Sequence, residues 1–352
     1  MNTHCAVEAA SSSLTVRNTP QIQIFSTCPS SSMAPDRYPE RVAQVARWSE
    51  RAGCTGILVY TDNSIIDPWL VSQVILQNTH SVSPLVAVQP VYMHPYSVAK
   101  MISTLGFLHG RRVFLNMVAG GFKNDLVALG DTTPHDNRYQ RLIEYTVIIR
   151  LLLESRKPVT FEGQFYKING LTLNPPLVPE LYPGILVSGS SAAGMAAAAE
   201  IGAVPVKYPE PPGHDTGAKP RENEPCGARI GIVSRLREED AWKVAHDRFP
   251  ADRKGQLTRQ LASKISDSVW HKQLAEVGKR GEAMGRAYWL HPFENYQTNC
   301  PYLVGSYDTV AAEVSKYIDH GFRTFILDIP PTEEELDHIG RVFQAAAQRT
   351  GL

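Results

Sequence analysis

The sequence predicts an α/β fold, a (β/α)₈ TIM barrel carrying insertion segments. Three observations point there. Short apolar runs alternate with helical periodicity along most of the chain, and the runs are apolar throughout instead of alternating. Strands of that kind are covered on both faces, as in a parallel sheet wrapped by helices. Eight such strands can be marked, which suits a closed barrel better than an open sheet. The third observation is the stretch from Gly110 to Tyr139, GRRVFLNMVAGGFKNDLVALGDTTPHDNRY. Its apolar run, Val113 to Val118, is interrupted once by Asn116 and stops at Gly120-Gly121; His135, Arg138 and Tyr139 follow a loop. A buried strand that runs into a polar residue, glycines and a loop of reactive side chains is how a barrel presents its active-site edge.

Taken in order, Ile22 to Ser26 is the first strand, and Tyr38 to Ala52 is a helix stopped by Gly53. Gly56 to Tyr60 is the second strand, followed by Thr61-Asp62-Asn63, and Pro68 to Gln77 is helical with proline in its first turn. Leu85 to Val88 and a helix over Ser97 to Leu108 come next, then the strand containing Asn116 and a helix from Gln140 to Leu153. Residues from about 155 to 180 break the rhythm with two alternating runs, Thr160 to Tyr166 and Lys167 to Leu173. They read as a hairpin insertion. The winding resumes with Gly184 to Val187, the turn Ser188-Gly189-Ser190-Ser191 and an alanine-rich helix ending at Ile201. Ala203 to Val206 and Arg229 to Ser234 are the sixth and seventh strands. Residues 251–301 read as a second insertion. Phe325 to Leu327 is the eighth strand and Glu333 to Ala347 the closing helix. Residues 1–20, small and polar, read as a disordered tail before a single barrel domain over 21–352.

The totals exclude several function classes. The chain has 352 residues with 35 basic and 35 acidic side chains, so its charge offers no attraction for nucleic acid or an anionic membrane. No apolar run approaches the roughly 20 residues of a membrane span, and the first residues lack the pattern of a secretory signal. Five scattered cysteines without a C-x-x-C pair read as reduced thiols in a cytoplasmic protein. There is no H-E-x-x-H, G-x-S-x-G or Walker loop, which argues against a zinc protease, a serine hydrolase and an NTPase. No metal site is expected.

Residue chemistry alone leaves the site open. Amides and hydroxyls at Ser188-Gly189-Ser190-Ser191 suit an anion as well as a helix cap. Asn116 needs a polar partner, which a ligand ring or nearby backbone would supply. His135, Arg138 and Tyr139 form either a polar clamp or an ordinary helix start, and His94 either faces the mouth or is structural.

In combination, the segments TGILVYTDNSIIDPWLVSQ (from Thr55), STLGFLHGRRVFLNMVAGG (from Ser103), GDTTPHDNRYQRLIEYTVIIRLLL (from Gly130), VTFEGQFYKING (from Val159), VSGSSAAGMAAAAEIGA (from Val187) and YPEPP (from Tyr208) resemble the bacterial-luciferase-like flavin monooxygenases. Their branch most like this chain contains alkanesulfonate monooxygenase. The resemblance runs from about Ile22 to the last helix. It implies a barrel that binds reduced FMN, supplied by a separate NAD(P)H-dependent flavin reductase, and uses O₂ to form a peroxyflavin that oxygenates a small-molecule substrate. It implies that Tyr139, Ser190 and Ser191 hold the FMN phosphate, that Asn116 and His135 contact the flavin or its ribityl chain, and that Thr61 lines its edge. Arg229, Trp289 and His291 are the expected catalytic residues on the substrate side, the last two on an aromatic-rich lid, and Arg229 either meets an anionic substrate or forms a structural ion pair. A homodimer or homotetramer is expected on the same ground.

The departures bear on the substrate. Where the alkanesulfonate oxygenases carry Arg-x-His on the seventh strand, this chain has Arg229-Ile230-Gly231. Their Tyr-Pro-His turn is replaced by Pro330-Pro331-Thr332, and a family cysteine by Ile65. The expected substrate is therefore something other than a simple alkanesulfonate, such as a secondary-metabolite intermediate. Hydride transfer from a deazaflavin and flavin binding without catalysis are the alternatives.

Overall fold

The computed structural model describes residues 22–31, 34–211, 226–265, 269–279 and 287–352. The N-terminal segment read as a tail lies outside the described residues. The elements are β1 (Gln23–Thr27), α1 (Tyr38–Arg51), β2 (Gly56–Val59), α2 (Pro68–Gln77), β3 (Ser83–Val88), α3 (Pro95–His109), β4 (Phe114–Met117), α4 (Lys123–Ala128) and α5 (His135–Glu154). There follow β5 (Val159–Glu162), β6 (Lys167–Leu171), β7 (Ile185–Ser188), α6 (Ala192–Ile201), β8 (Val204–Lys207), β9 (Cys226–Arg235), α7 (Glu238–Arg248), α8 (Arg253–Ile265) and α9 (Val269–Lys279). The chain ends with β10 (Tyr288–Trp289), α10 (His291–Glu294), β11 (Tyr302–Ser306), α11 (Tyr307–Asp319), β12 (Phe322–Leu327) and α12 (Glu333–Thr350).

Eight parallel strands close on themselves in the order β1, β2, β3, β4, β7, β8, β9, β12, with β12 pairing back onto β1 and β8 onto β9. This is the (β/α)₈ barrel expected from the apolar strands. Its interior is filled by Phe25, Leu58, Leu85, Phe114, Leu186, Val206 and Ile326, which alternate with residues that face the helices. Phe25 and Phe114 meet edge to face at 5.1 Å across this plug. The barrel interior is thus a packed plug, and any cleft must lie outside it, at one end of the strands.

Local signals set the helix ends. Asp67 accepts from the amides of Trp69 and Leu70 ahead of Pro68, and Gly110 closes α3 in the left-handed conformation. α3 begins at Pro95, two residues earlier than expected, because His94 Nδ1 accepts from the Tyr96 amide. His94 is thus a helix cap. α5 begins at His135, not at Gln140, so Arg138 and Tyr139 stand on the first turns of a helix instead of a loop.

Two regions depart from simple winding. β5 and β6 form a separate hairpin, held against α5 where the Glu144 carboxylate accepts the amides of Gln164, Phe165 and Tyr166. Between β9 and β12 the chain also builds β11 and α11, a strand–helix unit absent from the sequence reading. β9 is long enough to serve both neighbours. Its first half pairs with β12, and residues from Gly231 onward pair in parallel with β11.

Candidate active site

A cleft of about 420 Å³ opens at the carboxyl ends of the barrel strands, within the roughly 300–1,000 Å³ common for small-molecule sites. Of the residues expected to hold the flavin, Thr61, Asn116, His135, Tyr139, Ser190 and Ser191 all line it, and so does Arg229. Trp289 and His291 do not line it. Their rings stack at 5.3 Å beside Trp242 and Phe249, which pack against Trp289, and the same segment reaches the cleft through Gln297, Thr298 and Asn299.

One end of the cleft is built on β7 and the start of α6. Ser191 caps α6 by accepting from the Gly194 amide at 3.1 Å, so the remaining amides of that first turn face outward with the positive end of the helix dipole. Tyr139 comes over from α5 and hydrogen-bonds Ser191, and burial raises its phenol pKa, keeping it a donor. Gly189 is required here: a Cβ on it would stand 2.5 Å from the Tyr139 hydroxyl. Ser190 Oγ is buried and has no hydrogen-bond partner among the described residues. An orphaned hydroxyl costs stability unless a ligand completes it. Arg138, buried and lining the same end, adds a positive charge. Hydroxyls, helix amides and a cation around an unfilled buried hydroxyl fit the phosphate of a flavin mononucleotide.

His135 stands edge-on to Tyr139 at 5.3 Å, with Nδ1 at 2.7 Å from Asp136. At the end of β4, Asn116 is buried and its Oδ1 accepts from Ser188 Oγ at 2.7 Å, which leaves its amide hydrogens for a ligand. The sequence reading missed Gln89, a buried amide ending β3 in the same way. The rule that singled out Asn116, a polar residue where an apolar strand meets the mouth, would have found it.

Across the barrel, the far end is organised by Arg229, one of the residues expected on the substrate side. Nη1 donates to Thr27 Oγ1 at 2.5 Å and to the Leu327 carbonyl at 2.6 Å; Nη2 donates to Tyr60 Oη and lies 3.5 Å from Asp328 Oδ1. Each of the two terminal nitrogens thus serves two protein acceptors. Burial acts to lower the guanidinium pKa, but Tyr60, Cys300, Asp328 and Tyr208 around it raise it overall. The arginine is a permanently charged brace whose charge is met by protein groups. Asp328 in turn accepts from Tyr302 Oη at 2.8 Å. Where the sulfonate oxygenases have their histidine, Gly231 makes room for the Tyr302 ring, since a Cβ there would stand 2.3 Å from it. Cys28 also lines the cleft as a thiol pushed up to about 12 by burial.

Among the described residues no histidine, cysteine and carboxylate cluster could hold a metal, and no helix is long and apolar enough to cross a membrane. Residues 22–324 match the family model of luciferase-like monooxygenases. A curated relative from Niallia circulans, 4-(gamma-L-glutamylamino)butanoyl-[BtrI acyl-carrier protein] monooxygenase BtrO, is 35% identical over 311 residues, covering 87% of this chain and 91% of its own. The EDTA monooxygenase of Chelativorans sp. BNC1 superposes with a TM-score of 0.70 at 16% identity, over 94% of this chain and 98% of that one. An F420-dependent secondary alcohol dehydrogenase, solved with an F420–acetone adduct, gives 0.66 at 20% identity, over 93% and 99%. Likenesses at these identities speak for the shared barrel, whereas the family match covers residues 22–324 and the 35% relative 87% of the chain. On that evidence the chain belongs to the luciferase-like monooxygenases, a family of flavin-dependent oxygenating enzymes.

Proposed function

We propose that this chain is the oxygenating half of a two-component system, taking reduced FMN from a separate NAD(P)H-dependent flavin reductase and inserting one atom of O₂ into an organic substrate. The observation that carries the reading is the orphaned Ser190 hydroxyl, set among Tyr139, Ser191 and the α6 amides. When bound, reduced FMN supplies the electrons that activate O₂. The protein's part is to bind, orient and exclude water. Tyr139, Ser190 and Ser191 would hold the phosphate, His135 and Asn116 would meet the ribityl chain and ring, and Thr61 would border the ring edge. Arg229 holds Tyr60 and Asp328 in place at the substrate end.

Because the terminal nitrogens of Arg229 are occupied by protein acceptors, the described residues at that end offer no cation spare for a sulfonate. An uncharged acyl group suits it better. The relative named for an acyl group on a carrier protein makes a carrier-borne acyl thioester the class we favour. The test is to supply reductase, NAD(P)H, FMN and O₂ with acyl groups on a carrier protein or as free acids. Mass spectrometry should detect a product containing one labelled oxygen from ¹⁸O₂, formed faster from the carrier-borne form. Peroxide release alone from both forms counts against the proposal.

Hydride transfer from a deazaflavin is the second reading, motivated by the shared fold of the F420-dependent dehydrogenase. Parallel titrations with reduced FMN and reduced F420 separate the two, and tighter F420 binding would replace our choice. A homodimer or homotetramer is part of the proposal, with Leu70, Phe107 and Leu108 on α2 and α3 supplying exposed apolar surface.

A further inference from the structure

Trp289, expected on the substrate side, lies outside the cleft in a run of aromatic side chains. Tyr302 is the inner member of that run. Its ring is fully enclosed, and its hydroxyl donates to Asp328, which lines the cleft. Trp289 is the direct cross-strand partner of Tyr302 on β10 and β11, so their side chains share a face. Phe249 packs against both, at 4.9 Å from Tyr302 and 6.1 Å from Trp289. Trp242 follows at 5.6 Å from Trp289, half-buried, with its indole N–H donating to Glu238 at 3.2 Å.

We propose that Tyr302, Trp289 and Trp242 form a relay that carries an oxidising equivalent out of the cleft to the protein surface. The proposal rests on the reading that flavin and O₂ meet in this cleft, and it adds a protective activity to that reading. Tyrosine and tryptophan are the side chains most readily oxidised by one electron, and electron transfer between rings in near contact is fast. The proton decides which ring can begin. A phenol loses an electron easily only if its proton has somewhere to go. The Tyr60 hydroxyl faces the Arg229 cation, whereas Tyr302 is hydrogen-bonded to a carboxylate. Tyr302 is therefore the member of this pair suited to be oxidised. The outer end repeats the design, with Glu238 beside the Trp242 N–H.

The steps balance. A one-electron oxidant formed in the cleft, such as an oxygen-centred radical from uncoupled turnover, takes an electron from Tyr302 as its phenolic proton passes to Asp328. Trp289 then gives an electron to the tyrosyl radical while Asp328 returns the proton, leaving the indole of Trp289 as a radical cation. Trp242 reduces that cation and passes its N–H proton to Glu238. A small thiol in solution finally gives Trp242 an electron, Glu238 returns the proton to its indole, and the thiol proton is released. The net result is oxidant reduced, thiol oxidised to a thiyl radical and every side chain restored. Gly231 takes part by omission, since a side chain there would displace the Tyr302 ring.

The test uses photoexcited oxidised FMN as the one-electron oxidant, after fluorescence polarisation has established that FMN binds. A flash should give the visible absorption of a neutral tryptophanyl radical in the wild-type protein. Trp242→Phe should leave a shorter-lived radical cation on Trp289, and Tyr302→Phe should lower the tryptophanyl yield severalfold with FMN affinity unchanged. Substrate-free turnover with a reductase should also inactivate Trp242→Phe severalfold faster than wild type. Equal radical yields in all three proteins with FMN bound would overturn the relay while leaving the flavin reading intact. Failure of FMN, oxidised or reduced, to bind would overturn the flavin reading and the relay with it.

Discussion

Ser190 and Ser191 are adjacent and chemically alike but do different work. Ser191 is engaged with the Gly194 amide and Tyr139, while Ser190 Oγ is buried and unmatched. Hydrogen bonds to a charged group contribute about 1.5–3 kcal/mol, so Ser190→Ala should weaken reduced-FMN binding by roughly tenfold or more with little loss of thermal stability. Ser191→Ala should lower both, because it also removes a helix cap worth about 1 kcal/mol. Paired equilibrium titrations and melting curves check the contrast. Arg229 invites the opposite expectation. Its brace is buried, so Arg229→Met should destabilise the fold by about 3–5 kcal/mol, measured by denaturant unfolding. A loss below about 1 kcal/mol would show that the brace matters little. At Asp131, burial opposes ionisation, but hydrogen bonds from Arg141 and Thr133 outweigh it and hold the carboxyl at about 2 against an ordinary 3.8. A depressed carboxyl pKa contributes stability that is complete above the unfolded value and fades as pH falls toward the folded one. Asp131→Asn should accordingly lower Tm at pH 6 and have a much smaller effect near pH 2. An equal deficit at both pH values would contradict this.

Among the elements, those legible in the sequence were the ones whose burial is self-contained. β2 and β3 are apolar on both faces and bounded by glycine, proline or turn residues, so their pattern needs no knowledge of neighbours. β11 and α11 were missed although Tyr302 to Gly305 is apolar and Ser306 caps the helix by accepting from Thr309. A charged stretch precedes them and obscures their pattern. The pairing that accommodates β11 exists only because β9 extends beyond the residues that pair with β8 and β12, a tertiary fact. The hairpin of β5 and β6 was readable from its alternation, but its attachment was not, since Glu144 lies on α5 and reaches the hairpin amides only in the fold. Glu144→Ala leaves three amides without their acceptor. It should raise hydrogen exchange across residues 159–171 while leaving the barrel strands protected, and unchanged exchange there would remove the carboxylate's proposed role.

For the whole molecule, closure of the barrel depends on clasps that link its last strands to its last helix. The buried Glu335 of α12 accepts from Arg235 of β9 and pairs with Arg248 of α7 at 2.7 Å. Removing it as Glu335→Ala strands two partly buried cations and should cost about 3–5 kcal/mol, visible as a lower Tm without loss of flavin affinity in the surviving fold. The candidate site divides in the same way as the fold. Its end at β7 and α6 could be placed from the sequence, because strand, turn and helix start are contiguous from Ile185 to Ile201. Its Arg229 end could not, because Thr27, Tyr60, Arg229 and Asp328 lie in or just after four different strands and their hydrogen bonds decide what the arginine can do. The central claim is that this cleft grips reduced FMN by its phosphate. Anaerobic calorimetric titration of reduced FMN into the wild-type protein and Ser190→Ala tests it most directly. The account predicts saturable heat of binding in the wild type and an affinity lower by roughly tenfold or more in the variant. No heat of binding in the wild type, or equal affinities in the two proteins, would contradict it.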